Sequence, residues 1–206
     1  AFNLAIAEHG LSRGCGANIG RVLLSQGEGD LVARARAWAA AGSDARMSGA
    51  ELPVIILSGS GNQGITASVP VAVWAKERGF GEEALLRALI VSNLVTIHQK
   101  TGIGRLSAFC GAVCAGCGAG AGIAYLEGGG YDGVAHAVVN ALAIISGMVC
   151  DGAKASCAAK IAVAVDAGIL GYRMYTQKQE FVSGDGIVVK GVDNTIRNIG
   201  RLAKDG

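Results

Sequence analysis

Apolar residues recur at helical spacing along most of the chain. The apolar residues in 85–90 have this spacing, in a helix that starts near Gly81 and continues to His98. Asp30 is a good N-cap residue for another helix, which we expect to end at Gly42. The same pattern predicts further helices at 4–11, 66–78, 106–126, 134–145, 151–170 and 193–203. It therefore predicts a mainly α-helical fold.

Polar and glycine-rich segments separate these helices. Residues 43–51 read as a polar connector, and the glycines at 128–130 break the chain between two helices. Near the end, Gly184-Asp185-Gly186 lies between two pieces that favour β-structure. We therefore expect a compact helical domain with a small β-hairpin at 181–189.

Composition supports one domain and excludes some partners. The chain has 206 residues, of which 51% are hydrophobic, enough for one core across residues 1–206. A net charge of +2 with 17% charged residues leaves no basic patch for nucleic acid. The chain opens without methionine, in what reads as the middle of a helix, so we expect it to be the C-terminal part of a longer polypeptide. No secretion signal is recognisable, and a cytoplasmic location is expected.

The uncharged run at 106–126 is long enough for a membrane span. It is rich in glycine, cysteine and serine and poor in large aliphatic residues, a composition that suits a helix buried inside a soluble bundle. No membrane partner is therefore expected. A small membrane protein built on glycine-rich helices stays as an alternative.

Six cysteines in so hydrophobic a chain do not resemble the disulfide framework of a small secreted domain. They are either buried apolar residues or ligands for a soft metal or cluster. On a helix, Cys110, Cys114 and Cys117 would share one face. The alternative is that cysteine serves there as a small residue in a tight helix crossing.

Cys150 and Cys157 are two helical turns apart, with Lys154 between them. A thiol at the start of a helix and near an ammonium group has a lowered pKa, which favours the metal-binding thiolate. The alternative is a helix N-terminus capped by Asp151 with two buried thiols. The spacing fits neither zinc ribbons nor bacterial ferredoxins, so a metal site here would combine distant segments.

The glycine-rich loop from Ser58 to Gly64 precedes a predicted helix. Its free backbone N–H groups and the helix dipole suit an anion such as a carboxylate. The loop lacks the lysine of a phosphate-binding loop and the spacing of a dinucleotide fingerprint. It is either a carboxylate site or an ordinary glycine-rich turn.

Four segments together resemble one family. They are LSGSGNQGI at 57–65, LSAFCG at 106–111, GMVCDGAK at 147–154 with Cys157, and VDNTIRN at 192–198. The family is the alpha domain of iron–sulfur-dependent L-serine dehydratases, and the likeness is greatest to their single-chain relatives, the L-cysteine desulfidases. The resemblance covers nearly the whole chain in order.

The resemblance implies a 4Fe-4S cluster held by three cysteines, with the fourth iron open to substrate. Cys150 and Cys157 match the paired ligands. Cys110 matches the first ligand by its distance from the glycines at 128–129 and from Cys150, and Cys117, in a Gly-Cys-Gly context, is the alternative.

The implied reaction eliminates sulfide or water from L-cysteine or L-serine and yields pyruvate and ammonia. For substrate binding we assign a set in the glycine-rich loop and near the cysteine pair: Ser58, Ser60, Asn62, Gln63 and Lys154. In the desulfidases the proposed base is a cysteine in an N-terminal region, and Cys15 does not match that motif. The partners expected are thus the amino acid, an N-terminal domain of the same polypeptide and a possible second copy.

A second function class stays open. A non-catalytic helical binding or assembly module could keep this fold with buried structural thiols. It would be colourless, and its cysteines could be replaced at modest cost.

Overall fold

The computed structural model describes residues 1–27, 29–104 and 107–205, and these residues are mainly α-helical. The described residues form α1 (Phe2–Ser12), α2 (Ile19–Gln26), α3 (Leu31–Met47), α4 (Gly61–Glu77), α5 (Glu82–Ile103), α6 (Gly111–Leu126), α7 (Gly130–Ile144), α8 (Cys157–Thr176) and α9 (Val192–Asp205). Within these ranges, β-pairing is limited to two isolated bridges. The predicted fold class is confirmed.

Helix α6 lies at the centre of the bundle and packs against α4, α5, α7 and α8. Its glycines let neighbouring backbones come close. A Cβ added at Gly116 would lie 2.3 Å from the carbonyl oxygen of Ala164, and one at Gly120 would lie 2.3 Å from that of Gly168. The crossing of α6 and α8 therefore depends on small residues from both helices.

Two helix boundaries differ from the sequence prediction because tertiary contacts extend the helices. Helix α3 continues through Gly42 to Met47, so the expected connector at 43–51 is half helical. Gly42 lies close to neighbouring helices, since an added Cβ would lie 3.0 Å from Ile65 and 3.6 Å from Ala7. Helix α4 begins at Gly61, inside the predicted loop, because the Ser60 hydroxyl caps it.

Two further boundaries matter for the cysteines. Helix α6 begins at Gly111 with Cys110 as its N-cap, so Cys110 precedes the helix and does not share a helical face with Cys114 and Cys117. Residue 106, where the helix was predicted to start, lies outside the described residues. Helix α8 begins at Cys157 instead of near Asp151. Residues 150–156 are therefore a loop, and Lys154 is not on a helical face with the two cysteines.

The predicted hairpin at 181–189 is not formed, and this expectation was wrong. The segment folds into consecutive turns, in which the N–H of Gly184 donates to the carbonyl of Val188 at 3.0 Å. The Asp185 carboxylate accepts from the N–H of Val182 at 2.8 Å. These local bonds use the groups that a strand ladder would have needed.

The fully buried Asn140 ties α7 to α8 and to this turn segment. Its Nδ2 donates to the carbonyl of Gly171 at 3.0 Å, and its Oδ1 accepts from the N–H of Phe181 at 3.0 Å. Both ends of the amide are therefore paired inside the core.

Glu127, the C-cap of α6, links that helix to α4. Its carboxylate accepts from Trp74 Nε1 at 2.7 Å and from Arg78 Nε at 3.0 Å. Burial raises the pKa of Glu127, but the hydrogen bonds from Arg78 and Trp74 outweigh it, so the pKa lies below its ordinary value. The ionised carboxylate therefore stabilises the fold.

Across residues 1–27, 29–104 and 107–205, no helix combines the length and the apolarity that crossing a bilayer requires.

Candidate functional site

A short antiparallel pairing brings two of the predicted cluster cysteines together. The N–H of Cys110 donates to the carbonyl of Met148 at 2.7 Å, and the N–H of Cys150 donates to the carbonyl of Ala108 at 2.7 Å. These bonds surround an isolated bridge between Phe109 and Val149. The segment before α6 and the segment before α8 are thus held side by side.

The third cysteine, Cys157, is the first residue of α8. Lys160, one turn further along, reaches back to the loop that carries Cys150. Its ammonium donates to the carbonyl of Val149 at 3.1 Å and is also hydrogen-bonded to the Asp151 carboxylate. Helix α8 therefore carries one cysteine and fastens the loop of another.

The three cysteines line one cavity of about 280 Å³, which we call the cysteine cavity. Its other lining residues include several from the glycine-rich loop, from α3 and from α5, namely Ser60, Asn62, Gln63, Arg46 and Lys100. Among the described residues, no carboxylate lines this cavity. The cavity therefore combines thiols, neutral polar groups and two basic side chains.

Three helix N-termini meet at the cysteine cavity. Helix α4 contributes residues of its first turn, α6 begins there with Gly111, and α8 begins there with Cys157. Each N-terminus presents the positive end of a helix dipole. Together with Arg46 and Lys100, they make the cavity favourable for anions.

The first turn of α4 is shaped by a tight turn. Leu57 and Ser60 exchange backbone hydrogen bonds of 3.1 and 3.0 Å around Ser58 and Gly59, which have φ values of 49° and 82°. Positive φ at both central residues is the geometry of a type I′ turn. Ser60 then accepts from the N–H of Gln63 at 3.4 Å as the N-cap of α4.

The predicted substrate-binding residues divide between three locations. Ser60, Asn62 and Gln63 line the cysteine cavity. Ser58 lines an adjacent groove of about 460 Å³, and Lys100 lines both the groove and the cavity. Lys154 is exposed, 4.0 Å from Asp151, and is not among the residues lining the cavity.

The remaining cysteines near this region belong to the core. Cys114 and Cys117 are buried in an apolar cluster formed by α5, α6, α7 and α9. Burial raises the pKa of Cys114 to about 11 and raises that of Cys117 further. Both thiols are therefore protonated at neutral pH. Burial also raises the pKa of Cys110, although Lys160 and the backbone N–H of Ala112 oppose this effect.

Sequence reasoning missed three basic residues at this site: Arg46, Lys100 and Lys160. Arg46 was placed in the polar connector, yet its Nη1 donates to Asn62 Oδ1 at 3.3 Å. Lys100 is only 5% exposed and, among the described residues, forms no ion pair with a carboxylate. The functional signal at Lys100 is its burial, and burial of a lysine can be detected only in the tertiary structure.

In the part of the chain that the structure describes, no three His, Cys, Asp or Glu side chains converge closely enough to hold a single metal ion.

The fold and the cavity define a class: an α-helical protein with a thiol-lined, anion-attracting cavity at converging helix N-termini. The family model of the serine dehydratase alpha chain matches residues 2–206. The chain therefore belongs to the serine dehydratase alpha chain family, as its sequence motifs predicted.

Several bacterial proteins that carry the name UPF0597 are similar to the whole chain. A UPF0597 protein of Desulfitobacterium hafniense (strain Y51) is 68% identical over 205 residues, which make up 100% of this chain and 48% of that protein. A UPF0597 protein of Lachnoclostridium phytofermentans is 54% identical over 205 residues, 100% of this chain and 49% of that protein. The chain spans about half the length of the curated relatives it matches. No solved structure gives a significant match.

Proposed function

We propose that this chain is the cluster-binding part of an amino-acid lyase that eliminates sulfide from L-cysteine or water from L-serine. One observation carries the proposal: three cysteines from separate segments line a single cavity at three helix N-termini. Family membership supports it, because serine dehydratase alpha chains are typically associated with iron–sulfur enzymes.

The residues around the cysteine cavity fit a 4Fe-4S cluster. Cys110, Cys150 and Cys157 would supply three thiolates, and the positive helix ends would stabilise their negative charge. A four-iron cluster is larger than one ion, so its ligands lie further apart than those of a single metal ion. When bound, the cluster supplies a Lewis-acidic iron that polarises the leaving group.

Burial supports Cys110 over Cys117 as the first ligand. Cys110 lines the cavity, whereas Cys117 is fully buried in an apolar cluster and is not among the lining residues. A thiol buried among apolar side chains cannot reach an iron–sulfur cluster that Cys150 and Cys157 also bind unless α6 rearranges.

The chain's own polar groups would bind and orient the amino acid. The N-terminus of α4, with Ser60 and Asn62, offers donors for a carboxylate, and Arg46 adds positive charge beside Asn62. Lys154, assigned to substrate binding from sequence, would have to reach the cavity from an exposed loop. The base that removes the α-proton would come from an N-terminal domain of the longer polypeptide.

The test is anaerobic reconstitution with iron and sulfide, followed by iron analysis and the visible spectrum. Single Ala variants of Cys110, Cys150 and Cys157 should fail to hold the cluster. Cys114→Ala and Cys117→Ala are matched controls on the neighbouring helix and should keep it. Cluster-containing protein should then release pyruvate from L-cysteine or L-serine when the complete natural polypeptide is assayed.

A colourless wild-type protein that tolerates all five substitutions would overturn the proposal. It would support instead a helical module with structural thiols. Loss of the cluster in Cys117→Ala but not in Cys110→Ala would identify Cys117 as the first ligand in place of Cys110 and would leave the proposed reaction class unchanged.

A further inference from the structure

Gln63 is a buried amide with an unused acceptor. The residue is only 6% exposed, and its Oε1 is buried without a hydrogen-bond partner among the described residues. It lies against the start of α6, because a Cβ added at Gly111 would fall 2.4 Å from the amide carbon of Gln63. Leaving such an oxygen unpaired costs free energy, so a ligand that donates a hydrogen bond would be favoured there.

Three other side-chain oxygens of residues that line the cysteine cavity each already accept one hydrogen bond. Asn62 Oδ1 accepts from Arg46, Ser60 Oγ accepts from the N–H of Gln63, and Ser107 Oγ accepts from the N–H of Phe109. No carboxylate lines the cavity within the described ranges. Gln63 Oε1 is therefore distinguished from these three oxygens by having no hydrogen bond of its own among the described residues, which makes it available to an ammonium donor.

Lys100 is suited to bind the opposite charge, that of an anionic group. Lys100 is 5% exposed, about as buried as Gln63, and it lies where the outer groove meets the cysteine cavity, since it lines both. It has no carboxylate partner among the described residues. A buried ammonium without a counterion favours an anionic ligand.

We propose that Gln63 and Lys100 recognise the two charged groups of a free α-amino acid. Gln63 accepts a hydrogen bond from the α-ammonium group, and Lys100 binds the α-carboxylate together with the N-terminus of α4. The α-ammonium and α-carboxylate groups are bonded to the same carbon atom, and the side chains of Gln63 and Lys100 line the same cavity. This inference rests on the proposed function and adds the two side chains that select its substrate: with both present, a zwitterionic α-amino acid is bound in preference to a hydroxy acid or an amine.

The test compares ligands that lack one charged group. Calorimetry on the complete natural polypeptide, both iron-free and reconstituted, would measure L-serine, L-cysteine, 3-hydroxypropanoate and ethanolamine. We expect Gln63→Leu to weaken binding of the amino acids roughly 10- to 100-fold, the usual effect of losing a hydrogen bond to a charged group, and to leave 3-hydroxypropanoate unchanged. Lys100→Met should weaken the amino acids and 3-hydroxypropanoate and leave ethanolamine unchanged, and Lys100→Arg should restore part of the loss.

Gln99 provides a matched control. It is also a buried glutamine, 2% exposed, and its Oε1 likewise lacks a partner among the described residues, but it does not line the cysteine cavity. Gln99→Leu should therefore leave all four affinities unchanged.

The outcomes separate this inference from the proposed function. If Gln63→Leu weakened L-serine and 3-hydroxypropanoate equally, or weakened neither, the inference would be overturned, even if the cluster formed and the lyase reaction ran. If wild type bound neither amino acid in either form, it would be overturned as well. If iron were absent but the expected affinity pattern held, the inference would stand and the proposed function would fail.

Discussion

Replacing Gly120 by Ala should destabilise the protein, although alanine is the better helix former. Gly120 lies in the middle of α6, where α6 crosses α8. An added Cβ would lie 2.3 Å from the carbonyl oxygen of Gly168 and 2.7 Å from its Cα. The obstructing atoms are backbone, so no side-chain rotation can relieve the clash. The two helices would have to separate by about 1 Å, which removes a substantial part of the contact energy along the interface.

The expected net cost is about 2 kcal/mol. Overpacking of a core typically costs up to about 3 kcal/mol, and a rigid backbone contact belongs at the upper end of that range. The higher helix propensity of alanine offsets about 1 kcal/mol of this cost. For a chain of this length, a loss of about 2 kcal/mol lowers the melting temperature by roughly 4–8 °C.

Urea denaturation of Gly120→Ala and Gly102→Ala would measure the effect. Gly102 is the matched control, since it also lies in a helix, but among the described residues an added Cβ would have only Gly200 as a neighbour, at 3.8 Å. Its replacement should be neutral or stabilise by up to about 1 kcal/mol. A Gly120→Ala protein as stable as Gly102→Ala would show that the helix crossing adapts without cost and would refute the reasoning.

Three further predictions test other contacts. Lys160→Met should lower iron retention after reconstitution with little change in helix content by circular dichroism, because the loop of Cys150 loses its tie to α8, whereas Lys154→Met should not. Asn140→Ala should lower the free energy of unfolding in urea by about 2–4 kcal/mol, since it leaves a cavity and an unpaired N–H. Glu127→Gln should be less stable than wild type at pH 7, and denaturation at several pH values should show the difference shrinking as the pH falls below 4.5, the ordinary pKa of that group.

Each of these has a result that would contradict it. Equal iron loss in both lysine variants would mean that general surface charge, and not the loop contact, holds the metal. An Asn140→Ala protein of wild-type stability would mean that water replaces the amide. A Glu127→Gln difference that grew on acidification would reverse the sign argued for its pKa, because a depressed pKa in the folded state gives stability that protonation removes.

The sequence predicted the helical character well and the helix ends poorly. Periodicity identifies where apolar faces recur, and all the predicted helices are present among the described residues. Glycine was taken as a helix end at Gly42, where it serves a close crossing inside α3. Asp151 was taken as a possible N-cap, but its carboxylate pairs with Lys160 and α8 starts six residues later. These outcomes depend on partners distant in sequence, which local patterns do not contain.

The candidate site was partly predictable for a similar reason. The family resemblance pointed to Cys110, Cys150 and Cys157, and the local chemistry of the glycine-rich loop suggested an anion site. Together they predicted a substrate site that combines the loop with the cysteines, but not which of the assigned residues would line the cavity: Ser58 and Lys154 do not. Lys100 was not assigned to the site, because nothing in a sequence pattern distinguishes a buried lysine from a solvated one.

The pairing of Phe109 with Val149 has a consequence for the order of events during synthesis. The two segments are about forty residues apart in sequence, with all of α7 between them. Closing so long a loop costs chain entropy that the two hydrogen bonds alone cannot offset, so the pairing forms only once α7 has docked. A nascent chain that has just exposed Cys110 therefore has no template for its partner thiols. We expect iron to be acquired after folding, by delivery to a formed cavity, and short peptides that contain only 147–160 to capture it weakly.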